Sequence, residues 1–158
     1  MIRPARAADA AAIAEIWNAV IRESTATFTT ALKTETALAA LIAERGPAFL
    51  VAERAGRLLG FVTYGPFRSG PGYAPSREHT IHLAEGAQGQ GVGRALMAAI
   101  EAQARREGVH VMVAGVSGEN ASGIAFHARL GYAEVGRMAQ VARKFDRWLD
   151  LVLMQKIL

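Results

Sequence analysis

Between Glu78 and Val116 a short strand, a glycine-rich loop, a long amphipathic helix and an apolar strand follow one another, and this succession constrains the fold more than any other stretch. Glu78–Leu83 reads as a strand and Val92–Glu107 as a helix stopped by Gly108. Val109–Val116 is almost wholly apolar, the pattern of a strand buried on both faces. A strand, crossover helix and second strand join right-handed and leave the two strands parallel. The flanking segments read as antiparallel hairpins, so the expected class is α/β with a mixed sheet. Ligands of such sheets bind where the parallel strands end.

The loop itself is Gln88-Gly89-Gln90-Gly91-Val92-Gly93-Arg94. Alternate glycines let the backbone turn tightly and bare its N–H groups. The segment also opens a helix, whose first N–H groups lack carbonyl partners and whose dipole favours negative charge, so a diphosphate could be held by backbone alone. A P-loop would need Lys then Ser or Thr after the last glycine, but Arg94 and Ala95 stand there. A dinucleotide fingerprint would space its glycines differently and place an acidic ribose ligand ~20 residues on. Here the next strand ends in Gly115, Val116 and Ser117.

The rest of the chain reads as one domain spanning residues 1–158. Ile2–Arg6 forms a first strand, and Asp9 caps a helix that buries Ile13, Ile16, Trp17, Val20 and Ile21. A Thr/Ser-rich stretch from Ser24 to Thr30 precedes a helix at Thr36–Arg45, stopped by Gly46-Pro47. Phe49–Glu53 and Leu58–Tyr64 make a hairpin about Ala55-Gly56, followed by a Gly/Pro loop. Asn120 caps a fourth helix ending at Gly131, Tyr132–Val135 starts another strand, and Trp148–Gln155 closes the sheet.

Basic residues exceed acidic ones by 18 to 14 but are scattered, which argues against a nucleic-acid surface and suits small anionic ligands. There is no cysteine, no stretch near the length of a membrane span and no secretory leader pattern. A bacterial-type cytoplasmic setting without membrane attachment is expected.

Gln88, Gly91 and Gly93 fit the pattern Gln/Arg-x-x-Gly-x-Gly/Ala, which resembles the acetyl-CoA loop of the GNAT N-acetyltransferase superfamily. Three further segments, Glu78-His79-Thr80-Ile81-His82-Leu83, Asn120 through Tyr132, and Lys144 through Asp150, are similar to its phosphinothricin and methionine sulfone/sulfoximine acetyltransferase branch. The resemblance implies an acyl-CoA N-acyltransferase fold, with about four helices around a mixed sheet. Its fourth and fifth strands would splay into a cleft for the pantetheine arm of acetyl-CoA. Cofactor contacts would come from Ile81, His82, Leu83, the loop residues Gln88, Gly89, Gln90, Gly91, Val92, Gly93 and Arg94, and Asn120. The implied reaction is acetylation of the α-amino group of a small amino acid or analogue by a homodimeric enzyme. The branch usually has tyrosine where His82 stands and often tryptophan where Phe67 stands. Acetylation of an aminoglycoside, polyamine or peptide N-terminus is the alternative within catalysis, and a CoA-binding sensor the alternative outside it.

An amine must lose a proton before it attacks a thioester, and a carboxylate can take it directly or through water. Glu78 stands where the family keeps such a base. His127 stands where many relatives put a tyrosine that protonates the departing thiolate, and a histidine could do likewise. Backbone N–H groups of Ile81 to Leu83 could face the carbonyl oxygen. For a substrate carboxylate, an arginine offers two parallel hydrogen bonds. Arg68 is the expected anchor, with Arg77 as fallback, beside Ser69 and Gly70, with Phe28, Phe67 and Tyr73 as aromatic walls and His79 and Thr80 bordering the substrate. No metal is expected: Glu78-His79-x-x-His82 superficially resembles a zinc motif, but on a strand His79 and His82 point to opposite faces.

Overall fold

β4 (Ser76–Leu83) and β5 (Val111–Ser117) run parallel and are joined by α3 (Val92–Arg106), as the glycine-loop unit requires. In the computed structural model, which describes residues 1–158, they sit in the middle of one seven-stranded sheet. Before them come β1 (Ile2–Pro4), α1 (Ala10–Glu23), α2 (Glu35–Arg45), β2 (Phe49–Arg54) and β3 (Arg57–Pro66); after them come α4 (Ala121–Arg129), β6 (Ala133–Lys144) and β7 (Arg147–Ile157). The strand order is β1-β2-β3-β4-β5-β7-β6, and every pairing except β4–β5 is antiparallel.

Strand alternation divides the apolar interior between two faces. Leu50, Ala52, Val62 and Tyr64 pack under α3 with Leu96, Met97 and Ile100. Phe49, Val51 and Phe61 face the other way, against Ile13, Trp17 and Ile21 of α1 and Leu38 and Ile42 of α2. Leu96, Ile100, Phe49 and Phe61 are fully buried, so each face has its own anchor.

The sheet opens at one place. Only Ser76–Glu78 pairs with Val111–Val113, and beyond Glu78 the facing edges of β4 and β5 are no longer partners. β4 continues against β3 in unbroken register, with Gly65 opposite Glu78 and Thr63 opposite Thr80.

Four expectations need correction. Trp148–Gln155 does not close the sheet: β7 lies between β5 and β6, because the long β6–β7 hairpin folds back so that its second strand pairs Val111–Ser117. The strand begun near Tyr132 runs all the way to Lys144 as the outer edge of the sheet. Asp9 stands before α1 but does not cap it with its side chain, which accepts from Arg6 N–H at 2.7 Å and from the Arg3 guanidinium at 2.8 and 2.9 Å. The first strand is also shorter than read, ending at Pro4, since Ala7–Asp9 forms a 3-10 turn.

Candidate active site

Gly89 and Gly91 adopt left-handed backbone, with φ of 74° and 78°, a region that a side chain disfavours. Ala95 N–H is the first in the segment to reach a backbone carbonyl, Gly91 O at 3.0 Å, so the amides before it are available to an anion at the start of α3. Gln90 braces the loop: its Nε2 donates to Gly86 O at 2.7 Å and its Oε1 accepts from Arg54 at 2.9 Å. Gly93 serves differently from the other two. A Cβ there would lie 3.2 Å from the Phe126 ring, so this glycine lets α3 approach α4. The amide cradle suits a linked pair of phosphoryl groups.

The unpaired edge of β4 leads from that loop to Glu78. Ala84 N–H donates to Leu59 O at 2.9 Å, and alternation along the strand then turns the N–H groups of Ile81 and Leu83 away from β3, into the gap. By the same alternation His82 N–H turns towards β3. Its ring sits 5.6 Å from Phe61 and 6.0 Å from Trp17, where burial pushes its pKa down to about 4. On the far wall Asn120 caps α4, its Oδ1 accepting from Gly123 N–H at 2.9 Å. A cavity of about 350 Å³ between these walls includes Glu78, Thr80, Asn120, His127 and, from the loop after α1, Phe28.

Glu78 projects over the floor of that cavity, where a Cβ on Gly115 would stand 3.5 Å from its Oε1. Its carboxylate makes no ion pair; the residue is exposed at the mouth of the cavity, and the partial loss of solvent on the cavity side raises its pKa from the usual carboxylate value, which makes it a stronger base. Glu78 and Thr80 also line a second cavity of about 290 Å³ with Trp17, Arg45, Thr63 and Phe67.

His79 faces the other side of β4 from His82. It is buried, with its Nε2 3.0 Å from the Nε2 of His127. His127 Nδ1 lies 2.7 Å from Gly123 O, and a carbonyl can only accept, so that nitrogen carries a proton. Both nitrogens of His127 are therefore engaged. Burial and the neighbouring imidazole push His79 down to about 3, and burial lowers His127 as well, so the pair is neutral near pH 7.

The expected substrate loop is more open. Ser69, Gly70 and Tyr73 are exposed, and so is Arg68, whose guanidinium lies 5.4 Å from the Tyr73 ring centroid. Neither Arg68 nor Tyr73 lines the two cavities that share Glu78, whereas Phe67 does. Arg77 faces the opposite side of β4 from Glu78, pairing in register with Pro66.

Two features were missed in the sequence. Lys144 is 2% exposed and donates to Ser24 O at 2.7 Å and Thr27 O at 2.8 Å, clamping the loop that carries Phe28. The same loop is tied by Thr25, whose hydroxyl donates to Glu119 at 2.9 Å while Glu119 is held by Arg147. The other is Arg45, at the end of α2, whose guanidinium lies over Gly65. Hydropathy patterning carries no signal for either, because both depend on contacts between segments distant in sequence.

Residues 13–132 match the acetyltransferase (GNAT) family. The chain is 40% identical over 157 residues to the L-methionine sulfoximine/L-methionine sulfone acetyltransferase of Salmonella typhimurium, covering 98% of this chain and 92% of that protein. It is 43% identical over 101 residues to the like-named protein of Pseudomonas paraeruginosa, a match spanning 64% of this chain and only 59% of that one. Among solved structures it is similar to a ribosomal-protein-alanine N-acetyltransferase from Brucella melitensis, with TM-score 0.96, 39% identity and coverage of 100% and 99%. An acetyltransferase from Salmonella typhimurium with its cofactor acetyl-CoA gives TM-score 0.95 at 38% identity, covering 99% of this chain and 92% of that one.

Proposed function

The chain belongs to the acetyltransferase (GNAT) family, and we propose that it transfers the acetyl group of acetyl-CoA to the α-amino group of a small amino acid or analogue, of the methionine sulfone, methionine sulfoximine or phosphinothricin type. The observation that carries the reading is the position of Glu78, whose unpaired carboxylate stands where β4 and β5 part, facing the cavity between them. The glycine loop holds the diphosphate of acetyl-CoA, and the free edge of β4 with Asn120 receives the pantetheine arm.

Glu78 takes a proton from the substrate ammonium, and the freed nitrogen lone pair attacks the thioester carbonyl carbon. Ile81 and Leu83 N–H groups supply hydrogen bonds to the carbonyl oxygen as it gains charge. The new C–N bond forms, the nitrogen sheds its second proton, the C–S bond breaks, and CoA leaves as a thiolate that takes up a proton. His127 can supply that proton only when the His79–His127 pair carries one proton more than its neutral form, a state that burial disfavours, so solvent is the main source.

We assign the active form as a cytoplasmic homodimer. Val135, Met138, Val141, Phe145 and Trp148, all on the β6–β7 hairpin, are about half exposed and give this hairpin apolar surface for a second copy to cover. The test of the activity is release of CoA thiol with methionine sulfone, methionine sulfoximine and phosphinothricin, set against spermidine, an aminoglycoside and an alanine-terminated peptide. Turnover with the amino acids and little with the cations is expected. A preference for the peptide would shift the reading to protein N-termini.

A further inference from the structure

Arg45 lines the second cavity and has no carboxylate partner there apart from its neighbour in sequence. Its side chain is 23% exposed, and its Nε is buried without a hydrogen-bond acceptor. The one carboxylate within ion-pair range is the exposed neighbour Glu44, 3.4 Å from that Nε. Thr63 Oγ1, buried in the same cavity, likewise lacks a partner. Buried donors of this kind are nearly always satisfied, so two beside one cavity mark a place where the protein's own groups supply too few acceptors.

Register fixes where this cation stands relative to the base. Gly65 lies directly opposite Glu78, which sets their Cα atoms ~5.5 Å apart with side-chain positions on one face. A Cβ on Gly65 would fall inside the Arg45 guanidinium, so the guanidinium occupies the place of the absent side chain. The Glu78 carboxylate leans the other way, over Gly115. A gap is left with a positive group on the β3 side and a negative group on the β5 side.

An α-amino acid has the complementary arrangement, an ammonium and a carboxylate on one carbon. We propose that Arg45, with Thr63 beside it, is the anchor for the α-carboxylate of the acceptor, and that Gly65 is glycine so that the guanidinium can reach it. This assignment rests on the amino-acid reading above and makes the zwitterion itself the recognised feature. Arg68, exposed over Tyr73, then acts outside the recognition of the carboxylate. Arg45 touches substrate without taking part in proton transfer.

The experiment compares L-methionine sulfone with 3-(methylsulfonyl)propylamine, the same molecule without its carboxylate, by CoA-thiol release. Arg45→Gln should raise KM for the amino acid roughly 10- to 100-fold, the usual worth of charge-assisted hydrogen bonds. KM for the amine and affinity for acetyl-CoA should stay nearly unchanged, and Arg45→Lys should recover part of the loss. Gly65→Ala, which displaces the guanidinium but keeps the arginine, should give the same selective loss and serves if Arg45→Gln does not fold. Wild-type protein inert towards every amino acid would overturn the activity and this anchor with it. Active wild-type protein whose variants keep the preference for the carboxylate would overturn the anchor alone.

Discussion

Replacing Lys144 by methionine keeps an unbranched side chain up to the fourth atom and removes the ammonium that holds Ser24 and Thr27 through their carbonyls. Each lost hydrogen bond from a charged donor costs ~1.5–3 kcal/mol. Burying a thioether in place of an ammonium offsets part of the loss, since the charge no longer has to be desolvated. A net destabilisation of ~2 kcal/mol corresponds to a fall in Tm of ~4–8 °C for a domain of this size. The location of the damage matters more than its size. The freed segment includes Ala26, Thr27 and Phe28, which wall the cavity above Glu78, so KM for the amine should rise, while acetyl-CoA, anchored in the proposal by its diphosphate at the glycine loop, should keep most of its affinity. Differential scanning calorimetry, calorimetric titration with acetyl-CoA and steady-state kinetics with methionine sulfone read the three quantities separately. Unchanged Tm together with unchanged KM would refute the clamp, because the two carbonyls would then be satisfied equally well by water.

Glu78→Gln should lower kcat by ~10²- to 10⁴-fold with little change in acetyl-CoA affinity, and should abolish the acid limb of the pH–rate profile, which is shifted upward from the ordinary carboxylate value because partial loss of solvent raises this group; full turnover would remove it as the base. Gly91→Ala meets no atom within 4 Å but forces a side chain into left-handed backbone, at a cost of ~1–2 kcal/mol, and should weaken acetyl-CoA about tenfold by titration calorimetry; unaltered affinity would argue against a backbone cradle. His79 and His82 are held neutral down to about pH 3 and 4, whereas in the unfolded chain they take up protons below ~6.5. Folded pKa values below unfolded ones make stability fall with falling pH across that window, by at most ~1.4 kcal/mol per pH unit for each histidine. Denaturant midpoints at pH 7 and pH 5 should record the loss, and His82→Phe should reduce it.

What the sequence made legible follows from how local each signal is. The glycine loop, α3 and β5 were readable because turn, helix and apolar run are contiguous and their periodicities differ. Asn120 was readable as a cap because capping depends on a residue three positions on. β6 was seen only at its start, since an edge strand with most residues exposed shows neither alternation nor a long apolar run. The insertion of β7 between β5 and β6 has no local signature at all. In the site, Glu78 and its cleft came from the motif, but Arg45 reads as an ordinary basic residue in the last turn of α2, where it would complement the helix dipole. Its approach to Gly65 depends on how α2 packs on β3. Lys144 sits in a polar stretch that reads as solvated, and only the loop after α1 removes it from water.

Because the interior is divided by the sheet, the half proposed to grip the donor and the half proposed to meet the acceptor are consolidated separately. Randomising the α1–α2 side around Trp17, Leu41, Arg45 and Thr63 would leave the packing of α3 on Leu50, Val62 and Tyr64 untouched. Acceptor preference is thus free to drift over a constant chassis, which makes this face the natural place to diversify the enzyme towards new amines.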